Sequence, residues 1–124
     1  MIRITDPEML RRMDKALRLG GNLYTMEDID KQLFTGDMQS HAVEDTWVIT
    51  QVHEYPHKRA VNILFAVGNI DGALAAEEHV ELWAKNIKAK LLTATGRDGW
   101  WNFRTPGWNK MGTHYLKDIS HEQR

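Results

Sequence analysis

The residues that could do chemistry fall in three places along the chain. His53-Glu54-Tyr55-Pro56-His57 spells the His-Glu-x-x-His pattern, in which two histidines on one face of a helix ligate zinc and the Glu acts as general base. That chemistry needs a helix, and Pro56 inside the pattern would remove a backbone donor and clash with the preceding turn. Trp47 to Val52 alternate like a strand, so the pattern reads as a strand end running into a hairpin turn, and no metal is expected. Farther on, Arg97, Trp100, Trp101, Arg104, Trp108 and Lys110 gather three of the five tryptophans with three cations. Such interleaving can stack bases, form a protein-binding hot spot, or cap a small core with Arg packed on the rings. Glu77, Glu78 and His79 are the third group; at adjacent helical positions they point in different directions and read as a solvated face. Asp98 after Arg97 reads as a helix N-cap with its own ion pair.

The elements that must position these residues follow from period and punctuation. Ile2 to Ile4 is a short strand candidate, and Asp6-Pro7 starts a helix on which Met9, Leu10, Met13, Ala16 and Leu17 recur at helical spacing up to Gly20-Gly21. Thr25 with Asp28 forms a variant capping box for a second helix, with Ile29, Leu33 and Phe34 as its apolar stripe and Gly36 as its stop. From Gln39 the period becomes two, predicting strands over Gln39 to Val43, Thr46 to Tyr55 and Arg59 to Val67, the last two joined by a hairpin through Pro56-His57-Lys58. Helical spacing then returns, with Ala76, Val80, Trp83 and Ile87 on one face. A buried strand over Lys90 to Thr95 follows, parallel to Ala60 to Val67 because a helix lies between them. Gly96 to Arg104 is expected to be a short helix or turn, Met111 to Ile119 a last strand, and residues 120–124 a polar tail to a single domain over 1–119.

Composition narrows the function classes. The 124 residues carry 16 Lys and Arg against 17 Asp and Glu, so no long-range field draws the chain to nucleic acid or an anionic membrane, and a nucleic-acid partner is not expected. The absence of cysteine excludes a thiol nucleophile, a disulfide framework and a thiolate metal cage. No run approaches the ~18 apolar residues of a membrane span, and the opening residues hold no apolar leader core. A cytoplasmic protein is expected.

The element order resembles the acyl-CoA-dependent N-acetyltransferase (GNAT) family over nearly the whole chain. The start, Ile2-Arg3-Ile4-Thr5-Asp6 leading into Met9 and Leu10, is similar to the family's usual opening, and Gly107-Trp108 stands where the family has a Gly-Phe pair. The resemblance implies an α/β (α+β) fold: a mixed sheet, mostly antiparallel with one parallel crossover, flanked by helices. It also implies that acetyl-CoA lies where two parallel strands splay, its pyrophosphate on backbone N–H groups at the start of the third helix, as physics favours at any helix N-terminus. Carried onto this sequence, the cofactor-binding residues are Val67, Gly68, Asn69, Gly72 and Ala73.

At several of these places the sequence departs from the family. Asn69 replaces the Arg or Gln of the pyrophosphate loop, Leu74 its last small residue, and Asp71 adds a negative charge. Phe103 stands where a Tyr serves as general acid, and Ala60 to Val67 holds no carboxylate to serve as base. The expectation is a GNAT-fold protein with a degenerate acyl-CoA site and weak or absent N-acetyltransferase activity. The Gly96 to Trp100 run and the Gly107-Trp108 pair look like acetyltransferase-like proteins of tailed bacteriophages, which would place the chain in a host cytoplasm or a virion. Two alternatives stand beside it. One is a non-enzymatic binding or assembly protein, a virion component or an inhibitor of a host protein, that meets a protein partner or a second copy through Arg97, Trp100, Trp101, Arg104 and Trp108. The other is an active acetyl-CoA-dependent N-acyltransferase.

Overall fold

The computed structural model describes residues 7–19, 23–68, 72–94, 107–112, 115 and 117–120. Helix α1 (Pro7–Leu19) is amphipathic and buries Met9, Met13 and Leu17. Its exposed face carries ion pairs from Glu8 to Arg11 and Arg12 and from Asp14 to Arg18. Helix α2 (Met26–Thr35) opens on the expected capping box: Thr25 Oγ1 accepts from the Asp28 N–H at 3.1 Å, and Asp28 accepts from the Thr25 N–H at 2.8 Å. Gly36, at φ 86°, ends it in the left-handed conformation. Ile29 and Leu33 are its buried residues, but Phe34 is 79% exposed and does not belong to the stripe. Phe34 is rotated by about 100° from Leu33, which carries it off the face that Ile29 and Leu33 share.

Strands β1 (Gln39–Val43), β2 (Thr46–Glu54), β3 (Arg59–Gly68) and β4 (Leu91–Ala94) form one sheet in the order β1-β2-β3-β4. The first two junctions are antiparallel; β3 and β4 run parallel, as the helix α3 (Ala73–Asn86) between them requires. Met9, Met13, Leu17, Ile29 and Leu33 pack with Ile49 and Val67 on one face of the sheet. On the other, Ala76, Val80 and Ala84 of α3 pack with Val48 and Val61. The sheet is thus mixed, mostly antiparallel, and flanked by helices, as expected. Helix α3 closes with Lys88 at φ 65°, the Ala89 N–H reaching the Ala84 carbonyl at 2.9 Å.

Two expectations about strands need correction. Of β4, Leu91 and Ala94 are exposed and Leu92 and Thr93 half-buried, so its described length is not a buried strand. Among the described residues it pairs with β3 alone. Of the strand expected over Met111 to Ile119, the described residues adopt no strand, and Met111, Tyr115 and Ile119 are exposed. A segment with strand-forming residues becomes a strand only when a sheet edge receives it. The strand expected over Ile2 to Ile4 and the helical segment over Gly96 to Arg104 lie outside the described residues. Residues 1–94 form one compact unit and residues 95–124 a second.

Candidate functional site

The expected site begins on β3. Its parallel pairing runs from Ala60 opposite Leu91 to Ile63 opposite Ala94, and β3 itself continues to Gly68. On the β2 side, Thr50 faces Ile63 and Ile49 faces Phe65, so Leu64 is an extra residue, a β-bulge. The bulge resets which way the strand faces. Val61 and Ile63 pack toward α3, whereas Leu64, Phe65 and Val67 pack toward α1 and α2.

The strand then turns toward α3 through Gly68 and Gly72; Asn69, with Ile70 and Asp71, lies outside the described residues. Gly68 pairs with Thr46 at φ 136°, and a Cβ there would stand 2.1 Å from the Asp45 carbonyl oxygen. Gly72, the N-cap of α3, is closed in the same way: a Cβ would stand 2.6 Å from Thr46 Oγ1 and 3.7 Å from Glu44 Oε2. Both glycines are therefore required by close approach of the β1–β2 hairpin. Gly72 offers no side-chain cap and the first turn of α3 holds no acidic residue. Ala73 begins α3 half-buried, and Leu74 is exposed. Thus Val67, Gly68, Gly72 and Ala73 are brought to one strand-to-helix junction.

Glu44 was not singled out by the sequence. Its signal was the pair of alternating segments either side of Glu44-Asp45, which form a tight hairpin with Val43 opposite Thr46. Glu44 takes φ 53°, a conformation uncommon outside glycine and asparagine.

Of the proposed partner-binding residues, Arg97, Trp100, Trp101 and Arg104 lie outside the described residues, as does Phe103. Trp108 is half-buried, and Gly107 takes φ 99° with open space where a Cβ would be. Of the zinc-like pattern, His53 sits in β2 and stacks on Tyr55 at 6.1 Å, while His57 sits in the β2–β3 turn. Among the described residues no three His, Asp or Glu gather where a metal could be held. His53 Nε2 is buried without a hydrogen-bond partner.

A second cluster was also not legible in the sequence. His41 of β1 is buried against α3, its ring 4.8 Å from Trp83 and 5.5 Å from His79. Gln39 donates its amide to the Gly36 carbonyl at 2.9 Å, and the Thr50 hydroxyl donates to Gln39 Oε1 at 3.0 Å. That hydroxyl has one proton, so at 3.0 Å it accepts from His41 Nε2–H, which fixes the neutral tautomer. Burial, with a smaller contribution from His79, pushes His41 down to about 4.

The crystal structure of a probable acetyltransferase is similar to this chain with a TM-score of 0.64 over 95% of this chain and 97% of that one, at 14% sequence identity. At that identity the likeness shows a shared GNAT-like fold and no more. No family model matches the sequence, and no curated protein does. Among the described residues no helix is long and apolar enough to cross a membrane.

Proposed function

We propose that this chain is a GNAT-fold protein that keeps the scaffold of an acyl-CoA site in degenerate form, with weak or absent N-acetyltransferase activity. One observation carries the scaffold: β3, paired in parallel with β4, bulges at Leu64 and delivers Val67 and Gly68 toward the start of α3, whose N-cap Gly72 has no side-chain cap. The junction is a poor fit for the pyrophosphate of CoA. Its N-cap, Gly72, supplies no side-chain cap, but the room at Gly68 and Gly72 is filled by the hairpin rather than left for a ligand. The carboxylate of Glu44 stands beside the N-cap, and no Lys or Arg occurs in the sequence between Arg59 and Lys85. Phe103 in place of a phenol and a β3 without carboxylate leave the usual acid and base positions empty. This reading treats residues 1–119 as one functional domain with 120–124 as its tail. Phage origin, and action in a host cytoplasm or virion, rest on the Gly96 to Trp100 and Gly107-Trp108 resemblance.

Calorimetric titration of the unmodified protein with acetyl-CoA, beside a thiol-release assay on a panel of amines, tests the proposal. Binding no tighter than high micromolar with little turnover is expected. Low-micromolar binding with ready turnover would instead establish an active N-acyltransferase. The second reading, a protein-binding role for the segment around Trp108, is favoured by Met111, Tyr115 and Ile119, which are 92%, 87% and 83% exposed. Such side chains are expected to be covered by a protein partner or a second copy of the chain. Sedimentation of the protein alone tests the second of these.

A further inference from the structure

We propose that the Glu44 carboxylate is a built-in anion at the N-terminus of α3 that repels phosphoryl groups, making Glu44 a residue that sets this junction against CoA and other diphosphate esters. The proposal rests on the acyl-CoA reading for where a diphosphate would approach, and names what opposes it there. A helix N-terminus attracts negative charge through its dipole and its unpaired N–H groups. At α3 that attraction is met from another element. The N-cap Gly72 supplies no side chain and the first turn no acid, yet Glu44 Oε2 lies 3.7 Å from the point a Gly72 Cβ would occupy.

The hairpin backbone that carries Glu44 is held close to the junction. The Asp45 carbonyl fills the space beside Gly68 and Thr46 Oγ1 the space beside Gly72, while Thr46 itself is paired with Gly68 in the sheet. Glu44 holds its place at φ 53°, where glycine would be the unstrained choice. It is exposed, so an approaching anion meets its charge, and among the described residues it forms no ion pair. Two anions a few ångströms apart at one helix end compete, strongly at low salt and weakly at high salt.

The test titrates the full chain with CoA and, separately, with inorganic pyrophosphate, at low and high salt, following the backbone amides of Ala73 to Ala75 by NMR. Glu44→Gln removes the charge and keeps the side-chain length; Glu44→Gly removes the charge and relieves the backbone. Glu81→Gln, on an exposed later turn of α3, is the control. Both Glu44 variants should bind both probes about three- to thirtyfold more tightly than the parent at low salt, with the gain shrinking at high salt. Glu81→Gln should match the parent. If the parent and both Glu44 variants bind CoA with the same affinity, Glu44 is not the obstacle, and the acyl-CoA reading survives without it. If neither Glu44 variant binds either probe at millimolar concentration, the α3 terminus takes no phosphoryl group, and the acyl-CoA reading fails together with this proposal.

Discussion

Helices α2 and α3 begin in opposite ways. The N-terminus of α2 is closed by its own sequence: Thr25 and Asp28 satisfy each other's backbone donors within four residues of chain. The N-terminus of α3 has no such device, since Gly72 makes no side-chain cap, and what surrounds it comes from the β1–β2 hairpin. A locally closed end is stable by itself and has nothing left to offer. An end left to tertiary neighbours depends on their position, and its chemistry is set by whichever side chain the fold brings there.

The largest effect that separates the two ends should come from Gly68→Ala. The new Cβ would meet the Asp45 carbonyl at 2.1 Å, in a backbone conformation at φ 136° that only glycine adopts easily. Hairpin and junction would have to part, and a loss of at least about 3 kcal/mol in urea unfolding is expected. Gly36→Ala at the far end of α2, at φ 86° with nothing within 4 Å of its Cβ, should lose only about 1 kcal/mol. Equal losses at the two glycines would mean that the hairpin does not bear on α3.

Acid should separate them next. His41, packed on α3, is held well below its ordinary value of 6.5, at about 4. Between those values the unfolded chain takes up a proton that the folded one refuses, so stability is full above about pH 6.5 and falls as pH drops toward 4. The loss should be about 2 kcal/mol once partial solvation of the ring is allowed for. Asp28 is also lowered, but by bonding rather than burial: hydrogen bonds to Thr25 hold its carboxyl below the usual carboxylate range, so the α2 cap persists through that window. Urea midpoints at pH 7 and 4.5 should therefore differ in the parent and nearly coincide in His41→Gln. A variant that keeps the full acid sensitivity would exonerate His41.

The smallest test compares caps directly. Thr25→Ala should cost about 1 kcal/mol, the usual value of a lost cap. Serine at an N-cap ordinarily gains a few tenths of a kcal/mol over glycine, but Gly72→Ser should destabilise, because its Cβ would press on Thr46 Oγ1 at 2.6 Å. Stabilisation by Gly72→Ser in thermal melts would show the α3 terminus to be open after all.

The sequence by itself determined whatever depends on neighbours a few residues away. Met9, Met13 and Leu17 fix the buried face of α1, Thr25 with Asp28 the start of α2, and Gly36 its end, because these patterns are complete within one or two turns. Alternation fixed β2 and β3, and the helix between β3 and β4 fixed β4 as parallel to β3, since no short turn can join parallel strands. Only the tertiary structure decided the rest. That Phe34 faces outward, that β3 bulges at Leu64, and that the described residues of Met111 to Ile119 join no strand depend on what packs beside each segment. His41 met His79 and Trp83 across 38 and 42 positions of sequence, and Glu44 met Gly72 across 28, and no local pattern records such a meeting. Charge and burial act through space, so the features that set the chemistry of this junction became visible only when the chain was folded.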